Sequence, residues 1–152
     1  MSKIDLNNIS HSYNPNDTNP IYALNPFSMT WENGKRYAIL GPSGCGKTTM
    51  LNIVSGLVRP SVGNIFFDDK DVTDQKTESR NIAQVFQFPV IYNTMTVYEN
   101  LAFPLKCRDF PKTKIDERVK SVADTLSLQS FLNSHARKLT ADQKQLISLG
   151  RG

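Results

Sequence analysis

The chain has 152 residues, 39% of them apolar and 21% charged, with a net charge of +4. This length is enough for one ordinary domain with a buried core. No stretch of about 18 apolar residues occurs, which argues against a transmembrane helix, and the N-terminus lacks an apolar signal segment. The basic residues are not interleaved with aromatic ones, so we expect no nucleic-acid binding. Cys45 and Cys107 form no Cys-x-x-Cys pair, which favours a reducing cytosol over a disulfide.

The first third of the chain predicts short strands. Alternation of apolar and polar residues around Ile4 and Leu6 predicts a first strand, and residues 14–20 predict a loop because they are Asn, Pro, Asp and Thr. Residues 27–31 alternate again. The Asn-Gly turn signal that follows predicts a hairpin between residues 27–31 and an apolar, buried strand at 36–40.

Helices are predicted in three places. Met50 to Leu57 follow helical spacing, and Arg59-Pro60 is expected to end this helix. After strands at residues 65–67 and 82–88, a short helix is predicted over residues 97–105, closing at Pro104. An amphipathic helix covers residues 115–126, with a capping box of Thr113 and Asp116 at its start.

One stretch between a predicted strand and a predicted helix has a recognisable chemistry. It fits the phosphate-binding pattern G-x-x-x-x-G-K-[ST], in which glycines turn backbone N–H groups toward an anion. Lys47 can reach the β- and γ-phosphates of a nucleotide, and the Thr48 hydroxyl can ligate Mg²⁺. The alternative is an ordinary Gly-rich turn. The stretch comprises Gly41, Pro42, Ser43, Gly44, Cys45, Gly46, Lys47, Thr48 and Thr49.

The chain resembles the nucleotide-binding subunit of ABC transporters from Ile4 to its end, most strongly over residues 34–60. The likeness also rests on the string Arg-Asn-Ile-Ala-Gln-Val-Phe-Gln at residues 80–87 and on residues 95–105. With Asp-Val-Thr at 71–73, these strings are similar to the branch that imports sugars and glycerol phosphate.

The resemblance implies ATP and Mg²⁺ as ligands of the loop residues. It implies catalytic roles for Lys47 and for Gln87, which matches the family's glutamine that coordinates Mg²⁺ together with Thr48. It also implies an aromatic side chain that stacks on adenine. Tyr13 occupies that position. The alternative is an ordinary tyrosine at the end of a strand, because the loop at residues 14–20 is longer than is usual in the family, and Tyr22 is the competing candidate.

The family's signature, Leu-Ser-Gly-Gly-Gln, is altered in this chain. Thr140 keeps the hydroxyl, whereas Ala141 and Asp142 replace the glycines. In the family this motif acts on the partner's nucleotide, so the Asp142 carboxylate would repel the γ-phosphate that docks there. We therefore expect a heterodimer with a different ATP-binding subunit and one impaired composite site. The aligned residues are Leu139, Thr140, Ala141, Asp142 and Gln143.

The family's Walker B strand, catalytic Glu and switch His would follow Gly152. Residues 65–69, Ile-Phe-Phe-Asp-Asp, look like a Walker B strand, but we interpret them as a peripheral antiparallel strand. His11 and His135 do not match the switch and are predicted to be exposed. Without a residue to orient the attacking water, the chain alone is expected to hydrolyse ATP poorly.

The predicted fold is α/β: a P-loop NTPase core with an antiparallel β subdomain and a helical subdomain, truncated before the Walker B strand. We expect one partial ABC ATPase domain over residues 1–152. It divides into a P-loop core at 1–90, a helical subdomain at 91–138, and the signature with the start of its helix at 139–152.

The resemblance implies an ATP-binding subunit that powers import of a carbohydrate or glycerol phosphate. Its partners would be a second ATP-binding subunit and transmembrane permease subunits, and it would lie peripherally on the cytoplasmic face of the inner membrane. The alternatives are a degenerate, non-hydrolysing subunit and an inactive fragment. A different P-loop enzyme is also considered, but the sequence has neither an Arg-rich kinase lid nor an Asn-Lys-x-Asp guanine reader.

Overall fold

The computed structural model describes residues 2–152, which form two compact units divided after Ile82. Among these described residues, the first unit holds a four-stranded antiparallel sheet of order β2-β1-β3-β4, one α-helix and one short 3-10 helix. The second holds three α-helices and two short 3-10 helices. The α/β class and the antiparallel β subdomain are confirmed, while the division at residues 90 and 138 stays a prediction. The elements are β1 Ile4–Ser12, β2 Tyr22–Trp31, α1 Lys47–Ser55, β3 Val62–Phe67, β4 Lys70–Asp71, α2 Val97–Lys106, α3 Lys112–Thr125 and α4 Ala141–Gly150.

Strand β1 lies at the centre of the sheet and confirms the first predicted strand. Leu6 is paired with Met29 of β2 on one side and with Ile65 of β3 on the other. Leu6 and Ile65 are fully buried, and they pack in one cluster with Ile53 of α1. Burial of apolar side chains from both sheet and helix therefore fixes α1 against the sheet.

The predicted hairpin is wrong. Its turn exists, since Lys35 N donates to Glu32 O at 3.3 Å, but residues 27–31 belong to β2 and pair with β1. Residues 36–40 form no strand, and Leu40 is 91% exposed. Among the described residues no strand offers this segment a hydrogen-bond ladder, and a cavity of about 390 Å³ lies beside Tyr37.

The strand predicted at residues 82–88 is also absent. This segment has no regular structure, and Val85, Phe86 and Phe88 are exposed. An apolar segment becomes a strand only when another strand pairs with it, and none of the described strands does so here. By contrast, β3 confirms the strand at residues 65–67. It is antiparallel to β1, which supports the peripheral interpretation of the Walker B-like residues.

Helix α1 ends earlier than its periodicity predicts. Gly56 adopts a left-handed conformation with φ of 81°, and Leu57 N donates back to Asn52 O at 2.9 Å. A glycine in this conformation ends a helix because it carries no side-chain penalty there. The end at Arg59-Pro60 is therefore wrong, and Leu57 lies outside the helix with 52% of its surface exposed.

The second unit packs its helices around an apolar core that includes Leu101, Val119 and Ile147. Helix α2 confirms the prediction for residues 97–105, although it passes through Pro104 to end at Lys106. The helix predicted at 115–126 is confirmed as α3. Its capping box is wrong, because the cap is Pro111 with no side-chain hydrogen bond.

The C-terminal end of α1 is capped by a buried arginine. Arg80 is 5% exposed and donates from Nη1 to the carbonyls of Ile53 and Val54, both at 3.0 Å. Its Nη2 donates to Thr73 O and its Nε to Gln75 O, each at 2.9 Å. Burial lowers the pKa of this guanidinium. A cation at this position satisfies free carbonyls and the negative end of the helix dipole.

We predict that Arg80→Met lowers the free energy of unfolding by about 3 kcal/mol, because it leaves several buried carbonyls without donors. Chemical denaturation measures this loss. Arg59→Met is the control: Arg59 pairs with Asp74 at 2.8 Å, but both side chains are over 70% exposed, so its loss should be under about 1 kcal/mol. Equal losses in the two variants would refute the capping role of Arg80.

Candidate phosphate-binding site

The loop before α1 is shaped by two glycines with positive φ. Gly44 has φ of 81° and Gly46 has φ of 89°. Gly46 also lies directly against β2, because a Cβ added to it would be 2.5 Å from the carbonyl oxygen of Ala23. Only glycine meets both requirements, so the sheet and the loop together fix where α1 begins.

The loop presents backbone N–H groups that have no acceptor. Within residues 2–152, no hydrogen bond is found for the amides of Gly44, Gly46, Lys47 and Thr48. The Cys45 amide closes a turn to Pro42 O at 3.4 Å. The first turn of α1 contains no acidic residue. Free amides at the positive end of a helix favour an anion such as phosphate.

The Lys47 ammonium is folded over its own loop. It donates to Gly41 O at 2.8 Å and to Pro42 O at 2.6 Å, and it lies 3.5 Å from the Cys45 sulfur. These neutral acceptors are weaker partners than a phosphate oxygen. The side chain can therefore exchange them for phosphate by rotating about its own bonds.

The loop residues suit a metal ion that is coordinated mainly by the phosphates of a bound nucleotide. Thr48 is exposed, with its hydroxyl at the start of α1. No group of three or more His, Cys, Asp or Glu side chains in the described part of the chain could hold a metal. Mg²⁺ usually keeps waters and takes few protein ligands beside phosphate oxygens. Thr48 would thus be its ligand from this loop.

Tyr13 reaches α1 from the end of β1. Its hydroxyl lies 3.3 Å from Thr49 Oγ1, whereas 67% of its surface is exposed. Tyr22, the competing aromatic residue, is the first residue of β2 and is 47% exposed. Among the described hydrogen bonds, none joins the Tyr22 hydroxyl to α1. Of these two aromatic side chains, Tyr13 is therefore the one that the described hydrogen bonds join to α1.

The other predicted site residues belong to the second unit. Gln87 is exposed and lies in a segment without helix or strand. Thr140 caps α4: its Oγ1 accepts from Gln143 N at 3.3 Å, and its own N–H donates to Gln143 Oε1 at 3.0 Å. Asp142 occupies the first turn of α4. Its carboxylate therefore lies at the positive end of the helix, where it stabilises α4 and opposes a second anion.

Sequence reasoning missed the burial of His11 and the long-range contacts of Arg80 and Thr49. His11 is not exposed as predicted: it is 8% exposed and packs edge-to-face with Tyr13, with ring centroids 4.6 Å apart. Its position in β1, where it is paired with Leu24 of β2, explains the burial. The sequence motifs include Arg80 and Thr49 but predict neither of their long-range contacts. The Arg80 cap and the Thr49 bond to Tyr13 join segments distant in sequence, so local spacing gives no signal for them.

Comparison with known proteins adds an independent line of argument. The chain is 44% identical over 137 residues to the trehalose/maltose import ATP-binding protein MalK of Thermococcus litoralis, covering 86% of this chain and 37% of that protein. It is 36% identical over 151 residues to the sn-glycerol-3-phosphate import ATP-binding protein UgpC of Bartonella quintana, covering 99% and 42%. The chain thus spans about two-fifths of the length of these relatives.

A similar fold occurs in a solved structure. The dimeric, post-hydrolysis ATP-binding cassette MJ0796 bound to ADP and Pi matches with a TM-score of 0.84 at 26% identity, covering 97% of this chain and 68% of that one. No helix within residues 2–152 is long and apolar enough to cross a membrane. The family model for the ABC transporter matches residues 24–152. The phosphate-binding loop, the fold and these matches agree, and the chain belongs to the ABC transporter family.

Proposed function

We propose that the chain is the phosphate-binding portion of an importer's ATP-binding subunit and binds ATP with Mg²⁺. The observation that carries this proposal is the set of amides at Gly44, Gly46, Lys47 and Thr48 that have no acceptor. Such a loop binds the phosphates of a nucleotide through its backbone.

The loop residues have separate roles in this proposal. Lys47 leaves the carbonyls of Gly41 and Pro42 and places its charge on the β- and γ-phosphates. Thr48 contributes its hydroxyl to the ion, which supplies charge neutralisation when it is bound. Gln87 is proposed as a further ligand, and Tyr13 as the stacking partner of adenine.

Carbohydrate or glycerol phosphate is the proposed cargo. The relatives named for trehalose/maltose import and for sn-glycerol-3-phosphate import support this class. Transmembrane permease subunits would be partners, with the chain peripheral on the cytoplasmic face of the inner membrane. A second cassette is also proposed, in line with the dimeric MJ0796 structure. No finding favours a different subunit over a second copy, so the heterodimer stays a prediction.

A second candidate function is a nucleotide-binding subunit that does not hydrolyse ATP. Asp142 favours it, because its carboxylate lies in the first turn of α4, within the aligned signature. A phosphate approaching this helix end would meet a like charge. The composite site that uses this signature would then bind or turn over nucleotide poorly.

We expect Lys47→Ala to weaken binding of Mg²⁺-ATP by at least about ten-fold, since a charge-assisted hydrogen bond contributes about 1.5–3 kcal/mol. Isothermal titration calorimetry measures the change. Lys35→Ala removes the same charge from an exposed turn and should leave the affinity within about two-fold. Equal affinities of Lys47→Ala and the unmodified chain would contradict the proposed site.

If the Asp142 carboxylate repels the docking phosphate, removing its charge should tighten the association that ATP drives. We expect Asp142→Asn to strengthen self-association in Mg²⁺-ATP by about ten-fold, because it removes a like charge while keeping the shape of the side chain. Sedimentation equilibrium measures it. Glu117→Gln is the control, as it removes an equal charge from an exposed position on α3. If both variants associate alike, the carboxylate of Asp142 does not oppose docking.

A further inference from the structure

We propose that His11 is a positioning residue for Tyr13, which it holds in place to stack on the base of a nucleotide. This inference rests on the proposed function, because the base comes with phosphates bound at the loop. It concerns how the site distinguishes a nucleotide from a bare polyphosphate. All the contacts that carry it lie within the first unit.

The backbone before Tyr13 is held by a polar network. Ser12 N donates to Ser61 Oγ at 3.1 Å, and Ser12 Oγ donates to Ile21 O at 2.8 Å. Ser12 Oγ also lies 2.9 Å from Asn14 Oδ1. The end of β1 is therefore tied to both sides of the loop at residues 14–20, so the long loop does not leave Tyr13 on a loose segment.

His11 supports the ring of Tyr13 from the interior. His11 is buried, with 8% of its surface exposed, and the planes of its ring and the Tyr13 ring make an angle of 89°. Its Nδ1 lies 3.4 Å from Ser61 Oγ, whereas its buried Nε2 has no hydrogen-bond partner. A buried nitrogen without a partner is unfavourable. Hydrogen bonding at Nε2 therefore contributes nothing to holding the imidazole, which is placed by its contacts with Ser61 and with the ring of Tyr13.

Thr49 holds the other end of the tyrosine. Thr49 is 9% exposed, and its Oγ1 lies 3.3 Å from the Tyr13 hydroxyl. Tyr13 is thus fixed at its backbone by Ser12, at its ring by His11 and at its hydroxyl by Thr49. Even so, 67% of its surface stays open to solvent.

An exposed aromatic ring held at three points is prepared for a planar ligand. Free rotation of an unsupported ring would have to be lost on binding, and preorganisation removes that cost. The loop that binds phosphate begins the same helix that carries Thr49. A ligand that contacts both would carry a planar heteroaromatic group and a chain of phosphates, as a nucleotide does.

The test compares ATP with inorganic tripolyphosphate, which carries similar charge but no base, by calorimetry on the full chain. His11→Ala should weaken ATP binding by about two-fold to ten-fold, the range expected for one aromatic pair, and leave tripolyphosphate unchanged. His11→Phe keeps a ring against Tyr13 and should retain ATP affinity, whereas His11→Leu should behave like His11→Ala. His135→Ala is the control, since His135 is exposed in the second unit and contacts Thr94 O at 3.0 Å.

The results of this test distinguish a positioning role of His11 from a structural role and from failure of the proposed function. Equal loss of ATP and tripolyphosphate in the His11 variants would show a structural role and overturn the inference, as would unchanged ATP binding. If His11→Ala does not fold, the comparison of His11→Phe with His11→Leu gives the same decision. If the unmodified chain binds neither ligand, the proposed function itself fails, which is a result distinct from failure of the positioning role.

Discussion

The close approach of Gly46 to β2 is the constraint on which the site depends. The left-handed turn at Gly46, against the carbonyl of Ala23, sets the start of α1 and the direction of its first amides. Burial of Ile53 against β1 and β3, together with the Arg80 cap, fixes the other end of the helix. A nine-residue helix has little stability alone. Tertiary contacts at both ends therefore fix the position of α1 and of the loop before it.

The same packing brings the end of β1 to the helix. Tyr13 follows β1 directly, and its hydroxyl meets Thr49 in the first turns of α1. Tyr13 and Thr49, which are 36 positions apart in sequence, are thereby brought into contact. Their relative position is fixed by the sheet, since β1 pairs with β2 and β3 and all three face α1 through a shared apolar core.

Rules based on short stretches of sequence predicted the features that depend on neighbouring residues alone. Glycine spacing identified the phosphate-binding loop, and apolar periodicity found β1, β3, α1 and α3. The strands predicted at 36–40 and 82–88 failed because a strand requires a partner, which a single segment cannot reveal. The capping box was assigned to Thr113, whereas boxes form at Thr96 and at Thr140. The burial of His11 and Arg80 escaped prediction because long-range contacts bury them.

The most direct test of the account is an amide spectrum of the chain titrated with Mg²⁺-ATP. Binding through the backbone predicts that the amide resonances of Gly44, Gly46, Lys47 and Thr48 shift most strongly, since their N–H groups gain charged acceptors. The Cys45 amide, already bonded to Pro42 O, should shift less. Large shifts elsewhere with these four amides unchanged would contradict the proposal that this loop binds the nucleotide.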